Sequence, residues 1–239
     1  LNNIYNFTSN LIPFNQNIFL YFFLFFLVGY IDDKYNLKAL YKFLIISLVS
    51  LFLIFFNQEI LIKDFVFLNY QINFSSIYTS YIFTLFCFLS IINAFNMYDG
   101  INLQLSSLSF FILIILLFIN PNMQLFYILL LALILFMFFN FNGSIFLGDS
   151  GSILIAVILA LSFITFNKVN FIKTESIISL LFLPGIDMIR LFLLRLKNKK
   201  NPFHPDGNHI HHLILSKYSS NIVVMILLGF TILSYFLFV

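Results

Sequence analysis

Five short segments hold nearly all the residues able to do chemistry in a chain that is otherwise apolar. Asp32 and Asp33 stand side by side in Gly29-Tyr30-Ile31-Asp32-Asp33-Lys34-Tyr35-Asn36. Adjacent carboxylates repel each other unless a cation or a proton lies between them. Such a pair suits a divalent metal, or a base acting on a phosphate; the plain alternative is a charged helix end. In Asn93-Ala94-Phe95-Asn96-Met97-Tyr98-Asp99-Gly100 the two asparagines are three apart and share a helical face. With Asp99 they offer the oxygen ligands that Mg²⁺ prefers, and Gly100 permits a tight exit from the helix. The alternative is an asparagine-rich cap and turn. In Phe146-Leu147-Gly148-Asp149-Ser150-Gly151-Ser152 an aspartate sits among glycines and hydroxyls before an apolar run. Asp149 or a serine there is a helix cap, but a glycine-rich helix start also receives phosphate. A carboxylate at that point is placed to hold a metal that bridges phosphates. Asp187 and Arg190 are spaced to pair on one helix face, and Arg190 or Arg195 is suited to a phosphate- or uracil-bearing ligand. Last comes Asn201-Pro202-Phe203-His204-Pro205-Asp206-Gly207-Asn208-His209-Ile210-His211-His212. Four histidines suggest zinc, yet HExxH is absent and no cysteine accompanies them. Imidazoles and lysines beside carboxylates fit a pyrophosphate, whose oxygens accept their hydrogen bonds.

These segments must be positioned by an unusual scaffold. The chain is 62% hydrophobic and 9% charged over 239 residues, where soluble domains carry about 25% charged residues. The pattern predicts an all-α polytopic membrane protein with eight spans, near 13–31, 39–57, 77–94, 105–119, 124–140, 151–167, 176–194 and 221–239. Residues 59–75 are too polar to span and read as a short β-hairpin outside the bilayer. Residues 195–220 read as a polar, histidine-rich loop, and residues 1–239 as a single integral membrane domain. With no charged n-region or small-residue cleavage site before the first span, no signal peptide is expected, and Cys87 alone forms no internal disulfide. The net charge of +3 gives no indication of nucleic acid.

Alternating the spans sorts nine of the twelve Lys and Arg to one face, which the positive-inside rule makes cytoplasmic. That face also receives Asp32, Asp33, Asp99, Asp149, Asp187, Asp206 and every histidine. Glu59, Asp64 and Glu175 fall on the other face. Carboxylates at span ends are costly and tend to be functional.

In this order and on one face, the five segments resemble the polyprenyl-phosphate N-acetylhexosamine-1-phosphate transferase family, glycosyl transferase family 4. The resemblance covers about residues 18 to 215. It implies a Mg²⁺-dependent enzyme (Mn²⁺ able to substitute) of the bacterial inner membrane, with its site facing the cytoplasm. A polyprenyl phosphate attacks the β-phosphate of a UDP-amino sugar and UMP leaves. Carried onto this chain, Asp149 is a metal ligand with Asn96 a second, and Asp32 or Asp33 deprotonates or positions the lipid phosphate. Asn93 and Asp99 shape the nucleotide site. His209, His211 and His212 contact the diphosphate or sugar, supported by Arg190 and Arg195. Asn36 and Gly148 join the substrate-binding set. The partners implied are the UDP-amino sugar, the polyprenyl phosphate and membrane lipid; a homodimer is left open. Like charges resist the attack of phosphate on phosphate, and Mg²⁺ with cationic donors offsets that repulsion.

The chain departs from the family pattern in three places. Leu103 and Gln104 stand where Gly and Leu are expected after the Asp-Gly pair, and Gly207 replaces an Arg in the histidine-rich segment. Two spans are expected before the aspartate pair, whereas 31 residues precede Asp32, so the first family helix is expected to be lacking. Three other readings stay in play: a phospho-MurNAc-pentapeptide transferase, a transporter with a cytoplasmic cation site, and an inactive homologue.

Overall fold

A computed structural model describes residues 17–201 and 207–238. His204, Asp206 and the start of the first expected span lie outside the described residues. Ten α-helices and one hairpin follow in order among the described residues: α1 (Ile18–Tyr35), α2 (Ala39–Phe56), β1 (Asp64–Phe67), β2 (Tyr70–Asn73), α3 (Ile77–Tyr98), α4 (Gln104–Ile119), α5 (Gln124–Phe141), α6 (Gly148–Lys168), α7 (Thr174–Leu180), α8 (Phe182–Lys197), α9 (Ile210–Leu215) and α10 (Ser220–Phe238).

Helix α6 is the axis. Two thirds of its apolar window (67%) is buried, against 17–28% for the other long apolar helices, so those turn most of their surface outward. The outward residues are themselves apolar, as Leu44, Leu48, Leu51 and Phe55 on α2 illustrate. A mostly helical bundle with an apolar exterior is a multi-pass membrane protein, because backbone polar groups in hydrocarbon must be satisfied within each helix. Helix α1 packs most extensively on α6, and α3 lies on α6 and α8. The α1–α6 crossing depends on Gly29. A Cβ there would sit 2.4 Å from the Ser150 Cα and 2.5 Å from the Asp149 carbonyl oxygen. Small residues at helix crossings permit such close backbone approach.

All eight expected spans are helical, but eight crossings are not what length and composition show. Five helices (α2, α3, α5, α6 and α10) are long and apolar enough among the described residues, or six with the α7–α8 pair. Helix α1 carries Asp32, Asp33 and Lys34 in its last turns, and α4 has only 16 residues. The segment read as one span at 176–194 is broken at Leu181 and bent by 67°. Two helices extend past their expected ends. Helix α3 continues through Asn93 and Asn96 to Tyr98, and α6 begins at Gly148, so both motifs sit on helical turns.

The hairpin forms where expected, but its first strand starts only at Asp64. It pairs Asp64 with Asn73 and Phe67 with Tyr70 across a turn at Leu68 and Asn69. Residues 58–60 instead form a 3₁₀ turn. The Leu68 N–H donates to Glu175, and Lys168 donates to the Glu59 carbonyl. The acids assigned to the second face thus gather at the end of the bundle away from Asp32 and Asp149.

Candidate active site

Four helices deliver the acidic cluster. Asp32 and Asp33 close α1, Lys42 lies in the first turn of α2, Asn96 and Asp99 end α3, and Asp149 opens α6. Helix α1 stops because Asn36 adopts a left-handed conformation and donates its N–H to the Asp32 carbonyl at 2.8 Å. Asparagine tolerates that conformation well. The chain then turns sharply, and the Leu37 N–H donates to Asp32 Oδ1 at 2.7 Å. Asn36 itself is exposed as this cap.

The two aspartates have different tasks. Asp33 accepts from the Asp149 N–H at 2.7 Å through Oδ1 and from the Ser150 N–H at 3.0 Å through Oδ2. It caps α6 from another helix, satisfying free N–H groups and opposing the positive end of the helix dipole. Gly148, at φ +65°, makes room for it: a Cβ there would lie 2.8 Å from Asp33 Oδ2. Asp32 is buried and points its Oδ2 at Lys42 Nζ, 2.8 Å away. The same Nζ is 2.6 Å from Asp149 Oδ2. One ammonium therefore joins the carboxylates of α1 and α6.

Asn96 completes the first ring of contacts. Its Nδ2 donates to Asp149 Oδ1 and to Ser152 Oγ at 3.0 Å. Asn93, one turn earlier, donates to its own helix at the Leu89 carbonyl, 2.8 Å away. Asp99 lies near both Asp149 and Asp33. Burial, then those two negative neighbours, push its carboxyl up to about 7. A carboxyl with that value exchanges its proton near neutral pH.

A second polar group adjoins the first. Asp187 is buried on α8. Its Oδ1 accepts from Arg190 Nη2 at 2.7 Å and from the Ile210 N–H at 3.2 Å, and its Oδ2 faces His209 Nδ1 at 3.0 Å. Arg190 also donates to the Asn208 carbonyl. The expected Asp187–Arg190 pair is thus present, and it fastens the histidine-rich segment to α8. Arg195 is buried in the last turn of α8.

The three histidines are not equivalent: His212 is exposed, His209 half-buried and His211 buried. The His211 ring lies against Gly100, where a Cβ would come within 2.0 Å of its Nε2. Its Nδ1 is 3.4 Å from Gln104 Nε2. Burial, then His212 and His209, hold the ring down to about 4, so it is neutral at pH 7. A neutral, buried ring is placed to pack the segment onto the Asp99–Gly100 turn.

The departures from the family pattern meet here. Leu103 has φ +68°, a conformation that Gly adopts without cost. Its N–H is held by Asn140 Oδ1 at 2.7 Å, and Asn140 in turn donates to the Ile145 carbonyl at 2.7 Å. Gln104 is buried with its amide on His211.

The reading of the sequence overlooked Lys42, Ser152, Gln104 and the organising role of Asp187. Lys42 carried a signal: a lysine inside an otherwise apolar helix is costly and needs a partner. The tasks of Gln104 and Asp187 depend on contacts 107 and 22 residues away, which no spacing reveals.

The donor chemistry fits the expected Mg²⁺. Asp32 and Asp149 already converge on one cation, the Lys42 ammonium, and carboxylates with an amide oxygen are hard donors. Asn96 would serve as a ligand with its amide turned to present Oδ1 to the site.

Comparison with known proteins gives one consistent answer. Residues 16–167 match glycosyl transferase family 4. Three of the similar proteins are each named undecaprenyl-phosphate alpha-N-acetylglucosaminyl 1-phosphate transferase. That of Thermotoga maritima is 28% identical over 218 residues, covering 89% of this chain and 67% of its own length. That of Escherichia coli K12 is 29% identical over 202 residues, covering 79% and 54%. That of Salmonella typhi is 34% identical over 148 residues, covering 56% and 40%. The chain thus spans between about half and two thirds of the first two relatives.

Proposed function

This chain belongs to glycosyl transferase family 4, and from that premise we propose that it transfers an N-acetylhexosamine 1-phosphate from a UDP-sugar to undecaprenyl or another polyprenyl phosphate in cell-envelope glycan synthesis. The observation that carries this is the convergence of Asp32, Asp33, Asp149, Asn96 and Lys42 from four helices at one end of an apolar bundle. The similar names of the relatives support the same chemistry.

In the reaction an oxygen of the lipid phosphate forms a bond to the β-phosphorus of the UDP-sugar. The bond from that phosphorus to the bridging oxygen breaks, and UMP leaves with the electron pair. Asp149 and Asp32, with Asn96, would hold Mg²⁺, which supplies charge neutralisation for the diphosphate and the leaving UMP. Asp33 keeps the first turn of α6 in place, so Asp32, which shares the Lys42 ammonium with Asp149, is the member of the pair that acts with the metal on the lipid phosphate. Lys42 shields the carboxylates and offers an N–H to a phosphate oxygen. Asp99, titrating near neutrality, suits a proton acceptor or a group shaping the nucleotide pocket. His209 and His212 lie on the segment that would face the diphosphate and sugar, and Arg190 on α8 holds that segment in place. We place this end at the cytoplasmic face of the inner membrane, because nine of twelve basic residues fall there. A soluble nucleotide sugar then meets a membrane-held acceptor, and neither crosses hydrocarbon. The same reasoning keeps α1, α4 and α7–α8 as crossings, eight in all, with α1 crossing up to its charged last turn.

The test uses membranes carrying the full-length protein, UDP-N-acetylglucosamine and undecaprenyl phosphate. A lipid-linked product that requires Mg²⁺ and disappears with chelator is expected. No product from any UDP-amino sugar would overturn the assignment.

A further inference from the structure

We propose that Asp187, His209 and His211 form a second cation site, for a borderline transition metal such as Zn²⁺, distinct from the acidic cluster at Asp149. One oxygen of Asp187 and one ring nitrogen of each histidine lie within 4.8 Å of one another, at residues that are buried or half-buried. A tetrahedral zinc with bonds of about 2.0–2.1 Å wants its ligands roughly 3.3 Å apart. Asp187 Oδ2 and His209 Nδ1 are already 3.0 Å apart, and small side-chain rotations bring in the third.

The surrounding hydrogen bonds are those a metal site needs. Arg190 and the Ile210 N–H both bind Asp187 Oδ1, which leaves Oδ2 directed at His209. Ligating carboxylates are commonly held in this way through the other oxygen. His211 Nε2 is buried and has no hydrogen-bond partner, and so is Gln104 Oε1. Each such orphan is costly to bury. One change satisfies both. A cation on Nε2 leaves the His211 proton on Nδ1, and exchanging the Gln104 amide N and O gives that proton an acceptor. Gln104 then acts as the second partner of a metal-bound histidine, in a position where the family pattern expects an apolar residue.

The ligand set decides the class of cation. Two imidazoles and one carboxylate suit Zn²⁺, Co²⁺ or Ni²⁺, whereas Mg²⁺ takes oxygen ligands and keeps its waters. Three protein ligands leave a fourth position open. The sequence did not expose this site, because HExxH and cysteine are absent and Asp187 is remote from the histidines along the chain.

The test is Co²⁺ binding to tag-free, chelator-stripped protein in detergent with excess Mg²⁺ present. One equivalent with the visible bands of tetrahedral cobalt is expected. His209→Gln and His211→Gln should each weaken uptake at least about tenfold and remove the bands, and Gln104→Leu should weaken it about tenfold. Asp149→Asn should leave it unchanged, which separates this site from the one proposed for transfer. Should a histidine variant fail to fold, the native protein alone decides: Co²⁺ should raise its melting temperature in excess Mg²⁺. No saturable uptake, uptake that survives His211→Gln, or uptake abolished by Asp149→Asn would each overturn the proposal.

Discussion

The two polar groups at one end of the bundle are built on opposite balances of charge. Around Asp149, four carboxylates (Asp32, Asp33, Asp99 and Asp149) gather about one lysine, Lys42. Around Asp187, one carboxylate meets a guanidinium and an imidazole. Burial first, and then the negative neighbours Asp149 and Asp33, raise the proton affinity of Asp99 in the first group. The second pairs its one acid with Arg190 and His209, in a ratio that leaves no surplus of carboxylate. A cluster that is short of cations calls for a hard divalent ion. A cluster of imidazoles about one paired carboxylate favours a borderline cation instead.

The largest effect should come from breaking the first group at its centre. Asp149→Asn keeps the shape but removes the charge that Asp32 and Lys42 share, and turnover should fall about a thousandfold or more. Asp32→Asn should cost nearly as much activity. Asp33→Asn should lower stability by about 1 kcal/mol, through the lost α6 cap, and activity less than Asp32→Asn does. Kinetics in membranes and melting temperature in detergent check both halves of that contrast. Equal losses from the two variants would erase the division of labour drawn between the neighbours.

The next effect tests the backbone crossing that brings the groups together. Gly29→Ala would push a Cβ into the α6 backbone at 2.4 Å and should destabilise by about 1–3 kcal/mol. Thermal unfolding measures it; an unchanged melting temperature would show that α1 and α6 do not meet as closely as described.

A pH series separates the groups further. The Asp99 carboxyl is raised from 3.8 to about 7, so the folded state holds a proton there that the unfolded chain has lost. Its contribution to stability is full below pH 4 and is lost as pH rises through 7. Without divalent metal, Asp99→Asn should therefore be more stable than the native protein at pH 8, by on the order of 2 kcal/mol, with the gain fading toward pH 4. His211 behaves in the other sense. Its ring is held down to about 4, so stability falls as pH drops from 6.5 toward 4. A gain for Asp99→Asn that is constant with pH would remove the electrostatic explanation.

The smallest effect concerns a family departure. Leu103→Gly relieves a left-handed leucine, φ +68°, and should be neutral or stabilising by up to about 1 kcal/mol. A loss above that size would mean that Leu103 packing outweighs its backbone strain.

Much of this was legible before any coordinates. Apolar runs located α1, α2, α3 and α6, which frame the acidic cluster, because hydrocarbon forces each run to satisfy its own backbone; the short α9, which carries His211, fell in a segment read as a loop. Counting basic residues then separated two ends that the structure also separates, with Glu59 and Glu175 beside the hairpin and Asp32 and Asp149 opposite. Ends of elements were harder. Helix α3 keeps its Asn93 and Asn96 inside its last two turns, since an asparagine can bond its own helix, as Asn93 does with Leu89. The break at Leu181 left no mark in hydropathy. The individual duties of Asp32 and Asp33 could not be read from a run of two identical residues; they follow from Asp33 meeting the backbone N–H groups of α6 and Asp32 meeting its Asp149 side chain through Lys42.

The most direct measurement follows the phosphorus. UDP-N-acetylglucosamine labelled in its β-phosphate is given to membranes containing the protein, Mg²⁺ and undecaprenyl phosphate. The label should appear in the lipid-linked product, with UMP released in equal amount. Label released as UDP, with sugar alone on the lipid, would contradict the transfer of a sugar phosphate by the Asp149 cluster.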